Sequence, residues 1–177
     1  MVDEKKINNT TVRLHRGDIT DLEIEALVYY AREDLALGSG LGGAIMVRGG
    51  PEIQEKLNKL APVPGTEVVI TPAGDMKADF IIHAVGPKFQ EEYLEEKLHT
   101  TMRNVLKIAD EKRLKRIAFP PMGTGFYGVP LEVSARIMLE AFEQYLGRDT
   151  GIEEIIICLV DMREYEPFKA QVTAAAY

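Results

Sequence analysis

Short apolar runs alternate along this chain with longer segments in which apolar residues recur every three or four positions. VRLHR (12–16), EALVYY (25–30), EVVIT (67–71), DFIIHAV (79–85), RIAFP (116–120) and EEIIICLV (153–160) read as strands. Several of them are nearly continuous in apolar character, as strands buried on both faces are. Helical spacing appears at Ile53, Leu57 and Leu60, with Pro51 at the first turn. It appears again at Leu94, Leu98, Met102, Val105 and Ala109, and at Leu131, Ala135, Met138, Phe142 and Tyr145, where Gly147 closes the stripe. A weaker helical pattern spans 164–173. This alternation predicts an α/β protein with a mostly parallel sheet and helices on both faces. Repeats, linkers and low-complexity stretches are missing, so residues 1–177 are expected to form one domain, its core within about 12–170 and residues 1–10 a polar extension.

Charge narrows the choice of partner. The net charge is −7, and no basic stripe is visible, which weighs against extended contact with nucleic acid or an anionic membrane. The basic run KRLKR (112–116) reads as a solvated helix end. An acidic protein can still hold a phosphorylated small molecule through backbone amides and helix N-termini. The single cysteine, Cys158, excludes an internal disulfide framework, and His15, His83 and His99 follow no metal-ligand spacing, so neither metal nor cofactor is expected. The polar start MVDEKKINNTT carries no secretory pattern and no apolar run approaches membrane-spanning length; a cytoplasmic protein without membrane contact is the simplest expectation.

Three turns that follow expected strands can carry chemistry, because open α/β sheets place ligands there. GSGLGGAIMVRGGPE (38–52) has four glycines within six residues, then a helix-compatible run from about Gly42. PPMGTGFYGVP (120–130) has the same construction, with Gly123, Gly125 and Gly128 able to turn their N–H groups toward one anion, Thr124 adding a hydroxyl, and Phe126 and Tyr127 adding flat faces. Neither loop is a dinucleotide fingerprint or a P-loop, and either alone reads equally well as a glycine-rich turn. Together they suggest a grip on a pyrophosphate from two sides. RGDIT (16–20) supplies Asp18, which fits two readings: a turn cap, or an acceptor for an exocyclic amine such as adenine offers.

RGDIT, ALVYYAREDLALGSGLGGAI, RGGPEIQEKL, IIHAVGP and FPPMGTGFYGVP, in this order, resemble the macro domain, an ADP-ribose-binding module. The resemblance covers about residues 12–168 and implies a three-layer α/β/α sandwich with a mixed, largely parallel sheet of about six strands. It implies that Asp18 meets the adenine amine and the Ile19 backbone the ring. It places Gly40, Leu41 and Gly42 along the proximal phosphate and distal ribose, with Gly123, Thr124, Gly125, Phe126 and Tyr127 around the diphosphate and over the distal ribose. His83 and Val85 read as structural.

The departures from the family pattern bear on activity. Members that hydrolyse ADP-ribosyl esters usually carry Asn-Ala-Ala-Asn where this chain has Tyr29-Tyr30-Ala31-Arg32. Gly42 stands where an Asp is common, Met46 where a His is common, and Val160 where an aromatic often packs by adenine. Hydrolysis needs a water that is positioned and deprotonated, and glycine and a permanently charged arginine cannot act as that base. Tyr29 and Tyr30 read as core packing or, with Arg32, as walls of a distal-ribose pocket. The leading expectation is a binding module for ADP-ribose, free or on an ADP-ribosylated protein. The alternative is a hydrolase of ADP-ribosyl esters or of ADP-ribose 1″-phosphate, and a third class is an RNA or poly(ADP-ribose) interaction module.

Overall fold

The computed structural model describes residues 3–174. Its seven strands are β1 (Glu4–Ile7), β2 (Thr10–Arg16), β3 (Ala26–Tyr30), β4 (Val68–Pro72), β5 (Phe80–Ala84), β6 (Arg116–Phe119) and β7 (Glu154–Leu159). They form one sheet in the order β1-β2-β7-β6-β3-β5-β4. The inner pairs β2–β7, β7–β6, β6–β3 and β3–β5 are parallel, and both edge strands run antiparallel to their neighbours. The expected mixed, mostly parallel sheet is present, with one more strand than the six anticipated.

The extra strand is β1, which lies inside the stretch expected as a polar extension; residues 1 and 2 of that stretch lie outside the described residues. Its polar composition suits an edge position, where charged side chains face water and discourage pairing with another chain. The turn into β2 uses Asn8 at φ 53°, a conformation asparagine tolerates better than most residues.

Five helices complete the layers: α1 (Leu41–Gly49), α2 (Glu52–Leu60), α3 (Leu94–Glu111), α4 (Leu131–Leu146) and α5 (Met162–Val172). Along β3 the side chains alternate between the two faces, as the period of a strand requires. Val28 and Tyr30 join the core beneath α3, α4 and α5, with Met102, Val105, Phe119, Met138, Phe142 and Phe168. Leu27 and Tyr29 join the core beneath α1 and α2, with Ile45, Ile53, Leu57 and Ile81. Among the described residues no helix is long and apolar enough to cross a membrane.

The connections decide where a ligand can enter. After β3 the chain moves outward to β4 and β5, whereas after β6 it moves the opposite way to β7. The loops leaving the carboxyl ends of the adjacent strands β3 and β6 therefore diverge, and a crevice opens between them. The rings of Phe119 and Phe142 meet 5.2 Å apart in the core below. Phe142→Ala is expected to cost about 3–5 kcal/mol of stability, through lost burial and an unfilled cavity, measured by urea unfolding.

Candidate functional site

A cleft of about 720 Å³ lies along the carboxyl ends of β2, β7, β6 and β3. It brings together Asp18, Ile19, Tyr29, Tyr30, Gly40, Leu41, Gly42 and the run Gly123, Thr124, Gly125, Phe126 and Tyr127. These come from three connections far apart in sequence. Arg32 is placed differently. It lines an adjoining polar depression of about 440 Å³, which shares Phe126 and Tyr127 with the cleft. Its guanidinium donates to Asp34 at 2.8 Å.

The two glycine loops expose main-chain donors. Helix α1 begins at Gly40, which has no side chain to cap it, and the amides of Gly40, Leu41 and Gly42 have no acceptor among the described residues. The first four N–H groups of a helix are orphaned by geometry, and here water or a ligand must satisfy them. Opposite, the amides of Gly123, Thr124 and Gly125 likewise have no acceptor among the described residues. Gly125 adopts φ +69°, and a Cβ there would meet nothing within 4 Å, so the space above it is open. Gly42 is constrained in the other direction. A Cβ at that position would collide with the Leu37 carbonyl oxygen and the Tyr29 hydroxyl. Glycine at 42 is thus dictated by close packing beneath the helix.

Asp18 sits at the β2 end of the cleft, and both readings of it meet here. Its Oδ1 accepts from the Thr20 hydroxyl at 2.6 Å and the Thr20 amide at 2.9 Å, so it caps the short 3-10 turn of Ile19–Asp21. Its Oδ2 lies 3.2 Å from an Arg48 nitrogen on α1. The Thr20 hydroxyl, more than the Arg48 charge, holds its carboxyl below the usual range. The carboxylate is therefore fixed in orientation while half exposed.

The cleft is otherwise chemically quiet. Burial pushes the Cys158 thiol up to about 12, and the thiol donates to the Gly17 carbonyl at 3.3 Å. Burial pushes Tyr29 up to about 12 and raises Tyr30 as well, so both phenols stay protonated donors. Besides Asp18, the carboxylate lining the cleft is Glu164, which accepts from the Val160 amide at 2.9 Å. Neither belongs to the glycine loops. Among the described residues no group of three or more His, Cys, Asp or Glu side chains is disposed to hold a metal ion.

The sequence did not single out Arg48 or Glu164. Glu164 had a legible signal: Asp161 accepts from the Glu164 amide at 3.0 Å, a Asp-x-x-Glu cap at the start of α5. Arg48 had none, because its approach to Asp18 depends on how α1 packs. Val160 is exposed at the rim, and Met46 is partly exposed on α1.

His83 is buried in β5 opposite Tyr29, with Nε2 2.9 Å from the Thr71 hydroxyl and Nδ1 without a partner among the described residues. Val85 is buried beside it. Burial drives the His83 pKa down from 6.5 to about 3. The unfolded chain accordingly binds a proton below pH 6.5 that the folded chain refuses until about pH 3. The stabilisation is complete above the unfolded pKa and is lost as the pH falls through that window. Urea unfolding between pH 7 and pH 4 should show stability dropping with pH in the wild type and a shallower drop in His83→Gln.

The family model for the macro domain matches residues 29–138. An uncharacterised protein of Saccharolobus solfataricus is 40% identical over 163 residues, 90% of this chain and 90% of its own. A macro domain-containing protein of Caldanaerobacter subterraneus subsp. tengcongensis is also 40% identical over 163 residues, 89% of this chain and 93% of its own. Among solved structures, the Oceanobacillus iheyensis macrodomain with ADP superposes with a TM-score of 0.92 at 30% identity, over 97% of this chain and 95% of that one. The Trypanosoma brucei macrodomain in complex with ADP-ribose gives a TM-score of 0.85 at 26% identity, over 91% of this chain and 68% of that one.

Proposed function

Because this chain belongs to the macro domain family, we propose that its cleft holds ADP-ribose, free or attached to a protein, and releases it unchanged. The observation that carries this reading is the pair of loops whose unpartnered amides, at Gly40 to Gly42 and at Gly123 to Gly125, face one cleft without a base beside them. Amides of this kind neutralise a diphosphate without lysines, which suits a protein of net charge −7. In this reading Asp18 accepts the adenine amine through the lone pairs that Thr20 leaves free, and the Ile19 backbone meets the ring. The flat faces of Phe126 and Tyr127 cover the distal ribose, and Tyr30 lies beneath them.

Ester or phosphate hydrolysis is the competing reading, and the geometry of the first loop weighs against it. A carboxylate at position 42 would need a Cβ where the Leu37 carbonyl and the Tyr29 phenol already stand. Arg32 is a permanent cation and cannot take a proton from water. The run KRLKR is poorly suited to RNA: Leu114 is buried and Arg116 pairs with Glu154 at 2.9 Å, so the run forms no continuous basic face.

Calorimetry with ADP-ribose should give saturable heat, while O-acetyl-ADP-ribose and ADP-ribose 1″-phosphate should decay at the rate of buffer. No heat from the folded protein would sink the binding reading, and turnover above buffer would replace it with the hydrolytic one. Asp18→Ala should weaken ADP-ribose by about 1–3 kcal/mol, the cost of a hydrogen bond to a charged group. Gly125→Val should abolish binding, since a β-branched side chain resists the positive φ and fills the open volume over the loop. Unchanged affinity in both variants would place the ligand elsewhere.

A further inference from the structure

We propose that Tyr29 and Tyr30 are the positioning residues of the two glycine loops, each from its own face of β3: Tyr29 through its phenol bond to Leu37, and Tyr30 through its ring against Tyr127 and its phenol bond to the Pro87 segment that is tied to that loop. The proposal rests on the binding reading above and adds how the amides are kept in place.

Tyr29 projects into the layer beneath α1 and α2, where it is 8% exposed. Its hydroxyl donates to the Leu37 carbonyl at 3.0 Å, the last carbonyl before Gly38 opens the first loop. The same residue is gripped from the other side by Gln54 on α2, whose Oε1 accepts from the Leu37 amide at 2.9 Å and whose Nε2 donates to the Leu35 carbonyl at 3.2 Å. The first turn of α1 then rests directly on this pair, because a Cβ at Gly42 would collide with both the Leu37 oxygen and the Tyr29 hydroxyl.

Tyr30 projects the opposite way, into the layer beneath α3 and α4, where it is 5% exposed. Its hydroxyl donates to the Pro87 carbonyl. Its ring meets Tyr127 edge-on, with centroids 4.8 Å apart. A Cβ at Gly123 would stand 3.3 Å from the Tyr30 hydroxyl, so the second loop lies against this side chain. The segment after β5 is tied to the same loop by the Phe89 amide, which donates to the Tyr127 carbonyl at 3.0 Å.

Glycine-rich loops lose much conformational freedom when they order around a ligand. A loop held in its binding conformation beforehand spares the ligand that cost. Both tyrosines are buried although they border the cleft, and each phenol makes its hydrogen bond within the protein. Burial also keeps them protonated, and hence donors, throughout the neutral range.

The test uses Tyr29→Phe and Tyr30→Phe, which remove one oxygen each and keep the rings. Each should bind ADP-ribose about threefold to tenfold more weakly, the equivalent of one intramolecular hydrogen bond. In the ligand-free protein, hydrogen exchange should quicken at the Gly43 and Ala44 amides, which donate to the Ser39 and Gly40 carbonyls, for Tyr29→Phe, and at the Gly128 and Val129 amides, which donate to the Gly125 and Gly123 carbonyls, for Tyr30→Phe, each without the other. Gln54→Ala frees the Leu37 peptide by a second route and should reproduce Tyr29→Phe, which covers the case of a tyrosine variant that does not fold. Tyr145→Phe is the control: it removes a part-buried phenol bond, to Asp110 away from the cleft, and should lower Tm while leaving affinity unchanged. Wild-type affinity and wild-type exchange in the Phe variants would overturn the proposal, as would an equal loss of affinity in Tyr145→Phe. If wild-type protein gives no heat with ADP-ribose, the binding reading fails, and the exchange measurements still decide whether the tyrosines hold the loops.

Discussion

The cleft depends on main-chain N–H groups that the fold leaves unpaired. Elsewhere the strands pair through a continuous seven-stranded ladder, and the helices satisfy their own interiors. At Gly40 to Gly42 and Gly123 to Gly125 the amides have no acceptor among the described residues. Such groups are tolerable only where water or a ligand can reach them. They therefore sit at the carboxyl edge of the sheet, over the point where the connections diverge. Both loops must also be glycine-rich, because side chains would close the approach or forbid the dihedrals.

This constraint explains how an acidic protein is suited to an anionic ligand. The amides of Gly40 to Gly42, at the start of α1, and of Gly123 to Gly125 carry partial positive charge independently of the net charge of the whole molecule. Arg48 faces the Asp18 carboxylate at the β2 end of the cleft, where it helps orient a carboxylate already fixed by Thr20.

The groups around the loops are chemically inert at neutral pH for one shared reason, burial. His83 stays neutral, Cys158 stays a thiol, and Tyr29 and Tyr30 stay phenols. These donors keep one protonation state across the physiological range. At Gly42 the volume beside the helix start is taken by Leu37 and Tyr29.

Much of this was legible before any coordinates, because it is written in local pattern. The apolar runs and helical stripes identified β2 to β7 and α2 to α5, since burial on one or two faces leaves a period that a single strand or helix reveals. The glycine clusters marked the two loops, because positive dihedrals and close approach demand the residue itself. The strand β1 escaped notice: an edge strand is half exposed and reads as a polar tail until its partner is known. What only the tertiary structure decided was every relation between distant segments. It placed Arg32 in the neighbouring depression, brought Arg48 to Asp18, and divided Tyr29 and Tyr30 between opposite layers. Two adjacent tyrosines in a sequence carry no mark of which loop each will touch. The pleat of one strand, and the packing of helices on its two faces, settle that.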